Sequence, residues 1–166
     1  MTHSQTVDGQ IVMVTGAAGA LAGGVVDAFE AAGAQVVGVD IVDPADVDSG
    51  ATRYLQADLT DESAVEATVG RVIEELGQLD ALVNIAGTWR GGDPVAETSL
   101  ETFDLLVDVN LKTMFLTSKH AIPHLRETGG SIVSVSAKSA LTGGAGDAIY
   151  RATKAGVKIL TESIAD

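Results

Sequence analysis

At 166 residues and 16.9 kDa, with 46% hydrophobic residues, 20% charged residues and a mean hydropathy of +0.27, the chain is too apolar for disorder and is read as one domain, 1–166. No run nears the roughly 18 apolar residues of a membrane span, residues 1–10 are polar, and zero cysteines exclude disulfides, thiolate zinc sites and cysteine nucleophiles, so a cytoplasmic place is expected. The net charge of −13 repels phosphodiester backbones, which leaves neither nucleic acid nor a membrane as an expected partner.

Along the chain, short Val/Ile/Leu-rich runs alternate with helical periods. Residues 11–15 form the first run, bounded by Gly16. A helix follows the glycine-rich turn, and 35–39 is the second run. Residues 43–50 read as a polar loop and 52–56 as a weaker strand. From Asp61 to Leu76 a helical stripe carries Val65, Val69, Val72, Ile73 and Leu76; Asp61 and Glu62 stand at its positive end and Gly77 stops it. Strand 81–84 comes next. A helix over 100–109 is predicted behind a Thr98-x-x-Glu101 capping box, followed by a helix over 110–125, a strand over 131–135 and a helix over 150–165. Runs buried on both faces that alternate with helices predict an α/β fold, a doubly wound parallel sheet.

The first strand runs into Thr15-Gly16-Ala17-Ala18-Gly19-Ala20-Leu21. A tight turn needs positive φ, and a pyrophosphate needs backbone N–H groups without a Cβ in the way. Gly16 and Gly19 meet those needs, and the following helix offers its N-terminal dipole. Asp40 closes the second strand, 24 residues after Gly16. A carboxylate there accepts from both ribose hydroxyls of an adenosine and repels a 2′-phosphate. With no cation before Arg53 to neutralise that phosphate, NAD is the expected cofactor and NADP the less favoured one. Ala18, Ala20, Leu21 and, beside Asp40, Ile41 complete this part of the expected cofactor site.

Five ordered segments resemble the short-chain dehydrogenases/reductases: Thr15-Gly16-Ala17-Ala18-Gly19, Ala57-Asp58-Leu59-Thr60, Asn84-Ile85-Ala86-Gly87, Asp108-Val109-Asn110-Leu111 and Tyr150-Arg151-Ala152-Thr153-Lys154. The resemblance implies a Rossmann-type fold and hydride transfer between nicotinamide and an alcohol or carbonyl substrate. It implies that Asp58 meets the adenine amino group and Leu59 flanks the ring, while Asn84, Ala86 and Gly87 shape the end of the fourth strand along the cofactor. Asn84 has a second reading, as a buried residue satisfying strand-end groups. Tyr150 would be the general acid/base, with Lys154 one helical turn away on the nicotinamide ribose and Asn110 positioning a relay water. An unperturbed phenol keeps its proton until about pH 10, and a neighbouring ammonium favours the phenolate.

The fourth catalytic member is a serine that polarises the substrate oxygen, usually 13 residues before the tyrosine. Ala137 stands there, with Ser136 on one side and Ser139 two residues on. Ser136, shifted by one extra loop residue, is the expected donor; the alternative is similarity to dihydropteridine-reductase-like members, which have alanine at that place. The turn also departs from the commoner glycine spacing, with Ala20 and Ala22 at family glycine positions. An epimerase or dehydratase reading rests on that spacing alone, and the Asn110 segment opposes it.

The resemblance implies further strands, a Pro-Gly loop and a substrate lid beyond Asp166, so the chain is expected to be truncated. The alternative to an enzyme is a non-catalytic dinucleotide-binding or scaffold protein. Helices 110–125 and 150–165 are expected to pair with their twins in a homodimer or homotetramer. His3, His120 and His124 make no expected metal site, the two on the helix being placed on a solvated face. Trp89, beside the expected nicotinamide end, either touches substrate or plugs a loop.

Overall fold

Strand β1 (Ile11–Thr15) is buried along its whole length and divides the core in two. Ile11 and Met13 point to one face of the sheet, Val12 and Val14 to the other. A strand with both faces covered must lie at the centre of a sheet with helices on either side. The computed structural model, which describes residues 7–47 and 50–165, has that arrangement. β2 (Gln35–Asp40), β3 (Arg53–Gln56), β4 (Ala81–Asn84) and β5 (Ser131–Ser134) join β1 in the order β3-β2-β1-β4-β5, every pair parallel.

Helix α1 (Ala20–Ala31) covers one face, with Ala22 and Val26 packed on Val12, Val14, Val36 and Val83. Helix α2 (Glu62–Leu76) and the helix after β4 cover the other, setting Val65, Val69, Val72, Leu116 and Leu125 against Met13, Val37 and Leu82. The α/β doubly wound expectation holds, and the strand runs lie within one residue of their expected limits. The loop at 43–50 contains a short 3₁₀ turn, Pro44–Asp46. His3 lies outside the described residues. No helix among the described residues is long and apolar enough to cross a membrane.

Asp61 caps α2: its carboxylate accepts from the N–H groups of Ser63 (2.8 Å) and Ala64 (3.2 Å). Together with the Ser63 hydroxyl, these bonds hold its carboxyl below the usual range. A lowered folded value means stability that is present above the unfolded value of about 3.9 and lost as pH falls through the folded one. Asp61→Ala is therefore expected to lower the thermal midpoint at neutral pH, with the gap to wild type closing as the wild-type cap protonates. Melts from neutral to strongly acid pH check this; a gap that does not close contradicts it.

Two expectations along 98–128 need correction. The cap of helix α3 (Leu100–Val107) is Ser99, whose Oγ accepts from Thr102 N–H at 3.1 Å. Thr98 is turned back over the 3₁₀ turn Val95–Glu97 and donates to the Pro94 carbonyl instead. The helices placed at 100–109 and 110–125 also run together without a break. A wide π-helical turn, Asp108–Lys112, joins α3 to helix α4 (Thr113–Thr128), which Gly129 ends at φ 67°. Helix α5 (Ala148–Ala165) starts two residues before Tyr150 and packs beside α3, the π turn and β5.

Candidate active site

In an open parallel sheet, ligands sit beyond the carboxyl ends of the strands where successive connections leave in opposite directions. Here that point lies between β1 and β4. Thr15, buried at the end of β1, fastens the two: its Oγ1 accepts from Ile85 N–H (3.0 Å) and Ala86 N–H (3.2 Å). Gly16 turns the chain at φ 71°, and a Cβ there would lie 2.8 Å from the backbone of Ala86. Only glycine fits the bend and the close approach together.

A cavity of about 490 Å³ runs along this edge. It is lined by most of the expected cofactor contacts: Gly16, Gly19, Ala20, Leu21, Asp40, Ile41, Asp58, Leu59, Ala86 and Gly87. Ala18 lines a smaller recess behind the turn. Ile85, expected with its segment 84–87, lines the main cavity too, as do Ala57, Thr60 and Val109, which lie inside the motif segments, and Thr113, two residues beyond Leu111.

Gly19 caps α1 without a side-chain acceptor, and the first turn carries no acid. The N–H groups of Ala20 and Leu21 therefore remain open to an anion at the positive end of the helix. Asp40 braces the turn, Oδ2 accepting from Ala18 N–H (3.0 Å) and Oδ1 from Val42 N–H (3.2 Å). Each carboxylate oxygen keeps a second lone pair for a ribose hydroxyl. Burial, then the charges of Asp40 and Asp43, push the Tyr54 phenol up, as expected in a negative local field. The residues thus fit a dinucleotide: phosphate at an uncapped helix start, ribose at a carboxylate, and a Cβ-free wall at Gly16.

Asn84 is not on the cavity wall. Buried at the end of β4, its amide donates to Ser118 and Ser134, and its Oδ1 accepts from Thr117 at 2.7 Å. The second reading of Asn84, as a residue satisfying buried groups, describes these contacts. Asn110 lies in the π turn, 1% exposed, with Oδ1 accepting from Thr88 N–H (2.7 Å) and Nδ2 donating to Thr153 Oγ1 (3.3 Å). Its amide ties the segment after β4 to α5. Such π turns are frequent at functional sites.

Lys154 is 5% exposed, and its Nζ donates to the Val135 carbonyl at 2.9 Å. A Cβ on Gly87 would sit 3.1 Å from that Nζ and 3.0 Å from Asn110 Oδ1, so the end of β4, the π turn and α5 meet at this glycine. Burial pulls the Lys154 ammonium below the ordinary lysine range. Tyr150, half-buried in the first turn of α5, stands at i to the i+4 of Lys154, and among the described residues its hydroxyl has no hydrogen-bond partner. Ser136 Oγ donates to the backbone carbonyl of Lys154 at 2.7 Å. Its one proton therefore serves α5 in this structure.

The two helical histidines are half-buried rather than on a solvated face. His120 Nε2 lies 3.3 Å from Glu62, because α4 packs against the start of α2.

The arrangement has counterparts. A family model described as short chain dehydrogenase matches residues 10–166. An uncharacterized oxidoreductase of Schizosaccharomyces pombe is 36% identical over 162 residues, 96% of this chain and 62% of its own. The meso-2,3-butanediol dehydrogenase of Serratia marcescens is 35% identical over 95% of this chain and 65% of its own. The ligand-free aldohexose dehydrogenase of Thermoplasma acidophilum superimposes with a TM-score of 0.88 at 29% identity, over 96% of this chain and 61% of that one. The chain thus spans about three-fifths of the length of such relatives. With glycine turn, strand order and Tyr-x-x-x-Lys helix in one frame and a match that runs from Gln10 to Asp166, the chain belongs to the short-chain dehydrogenase family.

Proposed function

We propose that the chain carries the cofactor site and the proton-transfer pair of an NAD-dependent dehydrogenase or ketone reductase. One observation supports this above the others. Gly87 lines the cavity along the glycine turn, Lys154 and Asn110 converge on that glycine, and Tyr150 stands one helical turn from Lys154. Bound nicotinamide would supply the hydride acceptor or donor. Tyr150 exchanges the proton on the substrate oxygen, and Lys154 sets the charge around it and reaches the nicotinamide ribose. Asn110 holds the π turn and the segment after β4 in place, and with them any relay water. Ser136 polarises the substrate oxygen when its hydroxyl rotates off the Lys154 carbonyl. Asp58 and Leu59 line the adenine end.

A homodimer or homotetramer is part of this reading, supported by the exposed Phe115 on α4 and Ile159 on α5. So is a cytoplasmic place, which the lack of cysteine suits. The test is a fluorescence titration with NADH and NADPH, followed by an alcohol-oxidation assay of the protein. Saturable NADH binding with turnover supports the reading. Binding without turnover would favour the scaffold alternative, and no binding would remove both.

Lys154 also gives a stability prediction. A buried ammonium is costly to hold, and a lysine lowered in the folded state makes stability rise with pH. The rise spans the window from its folded value to about 10.4, where the unfolded chain holds a proton that the folded chain has shed. Lys154→Met is expected to melt at or above the wild-type temperature at neutral pH, to lack that alkaline rise, and to lose turnover. A clear fall in its neutral-pH midpoint would contradict this.

A further inference from the structure

Two loops leave the carboxyl edge on either side of the start of α5. Residues 87–98 follow β4, and residues 142–147 precede α5. They are clasped through backbone: Gly92 N–H donates to the Gly146 carbonyl at 2.5 Å, and a Cβ on Gly91 would lie 2.8 Å from the same oxygen. Beside the clasp lies a second cavity of about 330 Å³, separate from the one along the glycine turn. Its lining includes Leu106, 1% exposed, and Ala148 and Ile149, which directly precede Tyr150 in the first turn of α5.

The side chains around it are of mixed chemistry. Trp89 is 60% exposed and lies against Gly91, presenting an aromatic surface. Arg90 and Asp93 have no ion-pair partner among the described residues, a condition Arg90 shares with Arg126, Lys138 and Lys154 and Asp93 with most of the acids, so both are available to a ligand. Asp147 is held by Arg151 at 2.5 Å. The Thr102 hydroxyl accepts from Ser99 and keeps its own proton to give. The mouth therefore offers a free guanidinium fork, a free carboxylate, a hydroxyl and an aromatic face, with charges that cancel.

That set discriminates between ligand classes. A carboxylate would be drawn to Arg90 and repelled by Asp93, and an ammonium the reverse. An apolar ligand would desolvate both charges with no return. A molecule with many hydroxyls both donates and accepts, so it satisfies guanidinium and carboxylate together while its C–H face covers the indole. We infer that this cavity is the substrate subsite and that it takes an uncharged polyhydroxylated molecule, a monosaccharide or an alditol, over Trp89 and between Arg90 and Asp93. The inference rests on the dehydrogenase reading, which places the reacting carbon beside Tyr150.

Trp89 is the single tryptophan, so its fluorescence reports this cavity directly. Neutral aldoses and alditols should quench or shift it saturably in millimolar titrations, ahead of gluconate, glucosamine and cyclohexanol. Arg90→Gln and Asp93→Asn, both surface changes, should each weaken that binding about tenfold and raise KM more than they lower kcat. Tighter binding of gluconate, glucosamine or cyclohexanol, or no response to any neutral polyol, would overturn the inference. A parallel NADH titration separates the two readings. NADH binding and alcohol turnover with no polyol preference removes the subsite alone, whereas polyol binding without NADH binding removes the dehydrogenase reading and leaves the cavity's ligand class standing.

Discussion

Tyr150→Phe is expected to lower turnover by about 10²–10⁴-fold, the range carried by a positioned general acid or base, while leaving NADH affinity nearly unchanged. The substitution removes one oxygen. Among the described residues that oxygen has no hydrogen-bond partner, so no hydrogen bond is lost with it. The ring stays, in the first turn of a helix whose N-terminal loop is held by Arg151 on Asp147 and on the carbonyls of Ser139 and Thr142. A fall in rate therefore reports chemistry, and an unchanged melting temperature makes that separation visible. Initial rates in both directions, with NADH affinity from fluorescence and the melting temperature, check each part. Turnover within a few-fold of wild type would assign the proton transfer to another group.

The parts of the fold that were legible in the sequence are those set by local chemistry. Ile11–Thr15 is apolar at every position but the last, which suits a strand covered on both faces, and β1 is the central strand. Gly16 marks a bend that only a residue without a Cβ can make beside Ala86, and Gly19 caps the helix that follows. What sequence reading missed was decided by distant partners. Thr98 and Ser99 are equivalent as local caps; the Pro94 turn draws Thr98 away and leaves Ser99 to cap α3. The π turn at Asp108–Lys112 has no period of its own, and its centre, Asn110, is tied to Thr88 and Thr153, residues 22 and 43 positions away. Ser136 was judged by its distance from Tyr150 along the chain, but what holds its proton is the Lys154 carbonyl one helical turn farther on. The second cavity was hardest to foresee: a loop after β4 and a loop before α5 have no local signal that they touch, and only Trp89 hinted at the place.

Asp40→Asn is expected to bring NADPH affinity up by about tenfold relative to NADH, as removal of one repulsion of roughly 1–2 kcal/mol would do. The carboxylate ends β2 beside the glycine turn, with Asp43 and Asp46 close in sequence and no Lys or Arg anywhere before Arg53, whose guanidinium is itself paired with Glu75 on α2. A 2′-phosphate arriving there would meet the Asp40 carboxylate with no side-chain cation close in sequence, whereas two ribose hydroxyls would meet acceptors. Asparagine keeps an oxygen for one of the two bonds that brace the turn, from Ala18 and Val42, so the variant removes the charge while retaining half of the brace. Asp40→Ala loses brace and charge together and should weaken both dinucleotides. Salt gives an independent check: screening should narrow the wild-type preference between the two cofactors and hardly move that of the asparagine variant. Wild-type protein that binds NADPH more tightly than NADH, or a preference that Asp40→Asn leaves in place, would mean that cofactor choice is made by another part of the site.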